Sequence, residues 1–106
     1  MTRITVLYPA SPDGRFDFDY YLNVHIPLSI ERLGALVSKV RVEKGVSALD
    51  PEEPSPFIAI CQMTCDSYPM LADALKQHEE ELLADMRNYT NIAPIFVVSE
   101  LSHQYQ

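Results

Sequence analysis

Six periodic segments follow one another in the order β-α-β-β-α-β, and this order limits the folds open to the chain. Alternating, strand-like patterns cover residues 3–8, 36–46, 57–64 and 95–101. Patterns with apolar residues three and four apart cover residues 18–33 and 67–87. A chain of 106 residues has room for one core. The sequence therefore predicts a single α+β domain over residues 1–106, with a ferredoxin-like, four-stranded antiparallel sheet and both helices on one face.

Several of the predicted strands carry apolar side chains on both faces. In the last strand, Phe96 and Val98 face one way, and Ile95, Val97 and Leu101 face the other. The first and third strands also have apolar residues on both sides. Two helices cover only one face of such a sheet, and a large apolar face is unfavourable in water. A second copy of the same sheet is the simplest way to cover the uncovered apolar face, so the sequence predicts a homodimer.

The first predicted helix begins after Asp17, whose carboxylate can cap its first turn, and ends at Gly34. Pro27 has no N–H to bond the carbonyl of Asn23, so a kink or short break is predicted near His25. The residues predicted to face the core from this helix are Phe18, Leu22, Ile26, Ile30 and Leu33.

The second predicted strand is half exposed, and its predicted inward residues are Leu36, Val40, Val42 and Val46. The third contains Cys61 and Cys65, whose Cα atoms would lie about 13 Å apart along one strand. That separation is too large for a disulfide, so both cysteines are predicted to be small core residues.

The charge of the chain argues against some partners. The formal net charge is -7, with 15 acidic and 8 basic residues and no basic cluster. Nucleic acid and anionic membranes are therefore disfavoured as partners. No apolar run approaches the roughly 20 residues that span a bilayer, and the N-terminus leads directly into a strand pattern. The cytoplasm is the expected location.

No cofactor signature is present in the sequence. The three histidines form no i, i+4 pair, and the two cysteines lack the spacing of a metal site. The chain has only three glycines and no glycine-rich phosphate loop. We therefore expect no bound metal, haem or flavin.

Tyr21 and His25 lie four residues apart on the first predicted helix, so their side chains are neighbours. A phenol beside an imidazole can move a proton, and imidazoles suit general acid or base work on an enolisable or aromatic substrate. The alternative is that His25 is a half-buried helix residue hydrogen-bonded to a backbone carbonyl. The residues alone leave both open.

Three further side chains are candidate ligand contacts. Tyr8 and Tyr20 are amphipathic, although such tyrosines commonly pack with the hydroxyl reaching water. His78 lies on the apolar stripe of the second helix, where a core imidazole with a satisfied hydrogen bond is the alternative. Asp85, two turns further, is predicted to hold the Tyr89–Thr90 corner or to orient a loop or ring.

The segment around the first helix resembles the EthD family, small proteins named for a member associated with ether degradation. A strand ending in Tyr8-Pro9 leads to the pattern F-D-x-x-Y-Y-x-x-x-H-x-P-L, formed by Phe16, Asp17, Tyr20, Tyr21, His25, Pro27 and Leu28. The C-terminal part is also similar to that family, through Asp85, Tyr89-Thr90, Pro94 and Ser99-Glu100.

This resemblance implies a dimeric α+β barrel, in which two four-stranded sheets close face to face and a cleft separates each sheet from its own helices. The wider superfamily includes muconolactone-type isomerases, polyketide cyclases, antibiotic-biosynthesis monooxygenases and haem-degrading enzymes. Because these proteins catalyse different reactions, the fold alone does not indicate a reaction for this chain. The resemblance also favours a functional His25, with Tyr21 on the same proton path.

The leading hypothesis is a cofactor-free isomerase, lyase or oxygenase that acts on a hydrophobic, oxygenated small molecule through His25. One alternative is a non-catalytic protein that binds or carries such a ligand for a catabolic pathway. The other is that the residues of the motif have a structural role only and stabilise the kinked helix and the dimer. If His25 serves a cleft, we expect a partly exposed ring whose truncation costs well under about 2 kcal/mol.

Overall fold

The computed structural model describes residues 1–106 and contains the predicted order of elements. The strands are β1 (Thr2–Pro9), β2 (Ser38–Lys44), β3 (Phe57–Cys65) and β4 (Ile95–Glu100). The first helix, α1, covers residues 18–33, and the second, α2, is Tyr68–Met86. Each boundary lies within two residues of the predicted one.

The four strands form one antiparallel sheet in the order β2-β3-β1-β4. In the centre, Val6 of β1 pairs with Cys61 of β3 on one side and with Phe96 of β4 on the other. The core joins this face of the sheet to Leu33 of α1 and Leu71 of α2. The predicted ferredoxin-like α+β fold is therefore confirmed.

Helix α1 is continuous but changes its winding at the predicted position. It consists of α-helical Phe18–Tyr20, π-helical Tyr21–His25 and α-helical Ile26–Leu33. Pro27 lies two residues after the last residue of the π turn, as expected where a backbone N–H is missing from the helix. Gly34 ends the helix with a φ of 58°, a backbone conformation that favours glycine.

The buried face of α1 differs from the predicted one. Leu22 and Ile30, two of the residues predicted to face the core, are exposed. The residues that face inward are Tyr21, His25, Ser29 and Leu33, spaced four apart. The π turn explains the shift, because its hydrogen bonds reach the fifth residue and the longer repeat brings residues four apart into line.

The second face of the sheet is left open by the helices. Leu7 pairs with Ile60 and with Ile95 on this face, and Val97 lies in the next row of the same strand. On the helix side, Phe96 of β4 is itself 60% exposed. The prediction that the last strand is apolar on both sides is confirmed, and the homodimer that would cover it stays a prediction.

Two smaller predictions have opposite outcomes. Cys61 and Cys65 are free and buried in the core, as predicted. Val46 was expected to face inward but is 90% exposed, because β2 ends at Lys44 and Val46 belongs to the following loop. No helix in the chain is both long enough and apolar enough to cross a membrane.

Candidate functional site

A cavity of about 360 Å³ lies between the sheet and the two helices. The sheet contributes an apolar wall from β1, β3 and β4, and α2 contributes a second one. Polar groups enter mainly from Tyr8 on the sheet and from Tyr21 and His25 on α1. The charged residues of its lining are Lys76 and Glu79, which are both exposed. An apolar cavity of this size with a few converging polar groups is the usual form of a small-molecule site.

A carboxylate from the second helix holds the His25 ring. The Nδ1 atom of His25 lies 2.9 Å from Oδ2 of Asp85. The other carboxylate oxygen, Oδ1, accepts a hydrogen bond of 2.5 Å from the Tyr20 hydroxyl. The Asn88 amide donates to that hydroxyl at 3.0 Å and to Asp85 at 3.3 Å. This network ties α1 to the end of α2 and fixes the orientation of the imidazole.

The partner of Nδ1 determines which ring nitrogen of His25 is free. A carboxylate only accepts hydrogen bonds, so Nδ1 must carry a proton when it bonds Asp85. In the neutral imidazole, Nε2 then has the lone pair. Nε2 has no partner within the chain, and no side-chain nitrogen or oxygen is both fully buried and unpaired, so Nε2 is an accessible atom. His25 lines the cavity, which makes Nε2 available to a ligand there.

Two effects of opposite sign act on the Asp85 carboxyl. Its partial burial raises the pKa, but the hydrogen bonds from Tyr20, His25 and Asn88 together outweigh this and hold the pKa below its ordinary value of 3.8. The group is therefore ionised at neutral pH, so the atom that faces Nδ1 of His25 is a carboxylate oxygen.

The lowered pKa of Asp85 predicts how stability depends on pH. A carboxyl whose pKa is lower in the folded state stabilises the protein above the pKa of the unfolded chain, and this contribution is lost as the pH falls through the folded value. Asp85→Asn should therefore lower the free energy of unfolding by on the order of 1–3 kcal/mol near neutral pH. The difference from the unsubstituted protein should shrink below about pH 4.

Urea unfolding at fixed protein concentration and several pH values measures this difference. Asp73→Asn is the matched control, because Asp73 is an exposed residue of the same helix. An equal loss for Asp85→Asn at every pH would contradict the assignment.

An aromatic cluster surrounds the imidazole. The Tyr21 ring stacks on His25 at 5.7 Å between centroids, and the Tyr89 ring packs against His25 at 4.6 Å. The Tyr8 and Tyr89 hydroxyls are hydrogen-bonded at 2.7 Å in the core. Burial strongly raises the pKa of Tyr21 and of Tyr89, and the Cys61 thiol beside Tyr21 has a pKa raised by its own burial. These groups are therefore neutral, and Cys61 is not an activated nucleophile.

A solved structure with 36% sequence identity is an EthD-like protein from Ralstonia eutropha. The match covers 98% of this chain and 94% of that one, with a TM-score of 0.92. The chain belongs to the EthD-like family. No protein-family profile matches the sequence, and no curated protein matches it.

More distant solved structures are similar to this EthD-like chain in fold alone. An EthD family protein from Bacillus halodurans is 22% identical over 95% of this chain and 98% of its own, with a TM-score of 0.72. HapK from Hahella chejuensis is 14% identical over 100% of this chain and 98% of its own, with a TM-score of 0.60.

The cavity of this EthD-like protein contains three of the five residues that the sequence singled out. Tyr8, Tyr21 and His25 line it. Tyr20 does not line the cavity and instead donates to Asp85. His78 is also absent from the lining, although α2 contributes several of its neighbours on the helix: Ala72, Leu75, Lys76, Glu79, Leu82, Leu83 and Met86. The cleft role proposed for these two residues therefore has no geometric support.

Asp85 takes one of the two roles that the sequence left open, and one expectation about His25 needs correction. The Asp85 side chain orients a ring, that of His25, whereas the Tyr89–Thr90 corner is held by other bonds, including one of 2.7 Å from the Thr90 hydroxyl to the Arg15 carbonyl. His25 is only 7% exposed, not partly exposed as expected for a cleft residue. Its removal should therefore affect stability as well as function, because Asp85 would lose a donor.

Metal ligands are not clustered in this EthD-like chain. No group of three or more His, Cys, Asp or Glu side chains is placed to hold a metal ion. The absence of metal, haem and flavin from the purified protein stays a prediction.

Proposed function

We propose that this EthD-like protein binds a hydrophobic, oxygen-bearing small molecule in the cavity between sheet and helices, and that His25 transfers a proton to or from it. One observation carries the proposal: the Nε2 atom of His25 is accessible, while Nδ1 is held by Asp85 at 2.9 Å. A base that is oriented by a carboxylate and opens into an apolar cavity has the arrangement needed for general acid–base chemistry.

The proposed chemistry needs only this one proton-transfer group. When Nε2 removes a proton from an enolisable or aromatic substrate, the Asp85 carboxylate stabilises the imidazolium that forms. The apolar walls beside the ring lower the local polarity, and this strengthens the interaction. Tyr21, which stacks on the ring, would keep His25 in position and offer its hydroxyl to the ligand. Isomerisation, elimination and cofactor-free oxygenation each begin with such a proton transfer.

We further propose that the protein is a homodimer that works in the cytoplasm. The open face of the sheet, with Leu7, Ile60, Ile95 and Val97, supports the dimer, because these side chains form one apolar surface that the helices leave uncovered. A closed pair of sheets would remove that surface from water.

A non-catalytic ligand-binding or accessory protein is the second candidate function. It is favoured by the neutral state of the other polar groups in the cavity, since burial raises the pKa of Tyr8, Tyr21 and Cys61. A site with a single proton-transfer group can bind a ligand without turning it over. Turnover of the bound compound separates the two candidates.

Blocking the cavity tests both candidates. Ala72 lines the cavity, and Ala72→Phe should fill part of it and weaken binding of a neutral aromatic probe such as naphthol by about tenfold or more. Ala84→Phe is the matched control, because Ala84 is an exposed residue of the same helix outside the lining. Isothermal titration calorimetry measures both affinities. Equal binding by the two variants, or no binding by the unsubstituted protein, would contradict the proposal.

A further inference from the structure

We infer that the cavity selects neutral weak acids whose acidity is close to that of an imidazolium, such as acidic phenols and enols, over permanent anions such as carboxylates, and that it binds them with their proton moved onto His25. This inference rests on the proposed function and adds to it the substrate class and the charge state of the bound molecule.

Few groups around the His25 ring are charged. The one ionised group against the His25 ring is the Asp85 carboxylate on α2. The other titratable groups around it, on α1, the sheet and the loop after α2, are neutral phenols and a neutral thiol: Tyr20, Tyr21, Tyr8, Cys61 and Tyr89. The remaining charges of the lining, Lys76 and Glu79, are of opposite sign and exposed.

At the His25 end of the cavity, a ligand anion would therefore meet one cation, a protonated His25, because the Lys76 ammonium belongs to an exposed residue of the lining. A carboxylate has no proton to give, so its binding would require a proton from solution. A weak acid brings the proton with it: the O–H or C–H bond of the ligand breaks, an N–H bond forms at Nε2, and the electron pair stays on the ligand. No oxidant, reductant or further reactant is needed.

The volume and polarity of the cavity indicate what the part of the ligand away from His25 is like. Its volume of about 360 Å³ lies near the lower end of the range for small-molecule sites. The walls beyond the imidazole are apolar, with Val6 and Phe96 from the sheet and Leu75 and Leu82 from α2. An apolar body that carries its acidic group at the His25 end fits this distribution.

Para-nitrophenol tests the inference, since its anion has an absorption band that the neutral form lacks. Para-nitroanisole has nearly the same shape without the acidic proton, and para-nitrobenzoate is the permanent anion. In slightly acidic buffer, nitrophenol that binds should show the band of its anion. Nitrobenzoate affinity should fall by about tenfold per pH unit in alkaline buffer, because one proton must be taken up. In His25→Gln, bound nitrophenol should stay neutral.

The outcomes separate this inference from the proposal on which it rests. If nitrophenol and nitroanisole both bind but nitrophenol stays neutral, or if the affinity for nitrobenzoate does not fall as the pH rises, the inference is wrong and the ligand cavity stands. If neither neutral probe binds and Ala72→Phe changes nothing, the cavity is not a ligand site and both are wrong.

Discussion

Replacing His25 with alanine should reduce turnover, or ligand affinity if the protein is non-catalytic, by roughly 10²-fold or more. The reason is that Nε2 is the accessible nitrogen of the imidazole that lines the cavity. The same change should lower the free energy of unfolding by on the order of 1–3 kcal/mol, since Asp85 loses a hydrogen-bond donor in a largely buried place.

A second variant separates the two effects. His25→Gln keeps a side-chain amide that can donate to Asp85 but supplies no base, so it should recover part of the stability and none of the proton transfer. His78→Ala is the control, because His78 lies outside the cavity. Turnover or affinity retained in both His25 variants, with only the melting temperature lowered, would show that the imidazole is a structural strut.

Introducing a carboxylate on the open face of the sheet should dissociate the predicted homodimer. Val97→Glu would place a charge without a partner in the interface, at a cost of several kcal/mol. The dimer dissociation constant should therefore rise by about 10²-fold or more, since each 1.4 kcal/mol is a factor of ten. Sedimentation velocity at micromolar concentration measures the change.

Val24→Glu is the matched control for this experiment. Val24 is 42% exposed and Val97 is 41% exposed, but Val24 lies on the outer side of α1. The control should leave the dimer intact. A stable monomer for the unsubstituted protein, or equal behaviour of the two variants, would contradict a dimer formed through the open face.

The order and bounds of the elements could be predicted because local patterns determine them. Alternation identified the strands, and Pro27 indicated the irregular turn that the structure contains at Tyr21–His25. The buried face of α1 could not be predicted, since the apolar residues Leu22 and Ile30 follow an ordinary α-helical repeat. The π turn brings Tyr21 and His25 inward instead, and that depends on their packing against the sheet.

The site was predicted only where its residues are close in the sequence. Tyr21 and His25 are one turn apart and were found together, whereas Asp85 is 60 residues away from His25 and its role depends on how the two helices meet. The similarity of the C-terminal part to the EthD family singled out Asp85 but did not indicate that its partner is His25. His78 was placed in the cleft because it shares the predicted apolar stripe of α2 with Leu75 and Leu82, and these two leucines line the cavity whereas His78 does not.

Nitrogen NMR of the three histidine rings tests the central claim most directly. In alkaline buffer, where an imidazole is neutral, the account predicts that His25 carries its proton on Nδ1 and has an unprotonated Nε2. In slightly acidic buffer, where para-nitrophenol still has its proton, saturation with this ligand should change the Nε2 resonance of His25 and leave His78 and the exposed His103 unchanged. A proton on Nε2 of the free protein, or a His25 resonance that does not respond to the bound ligand, would contradict the account.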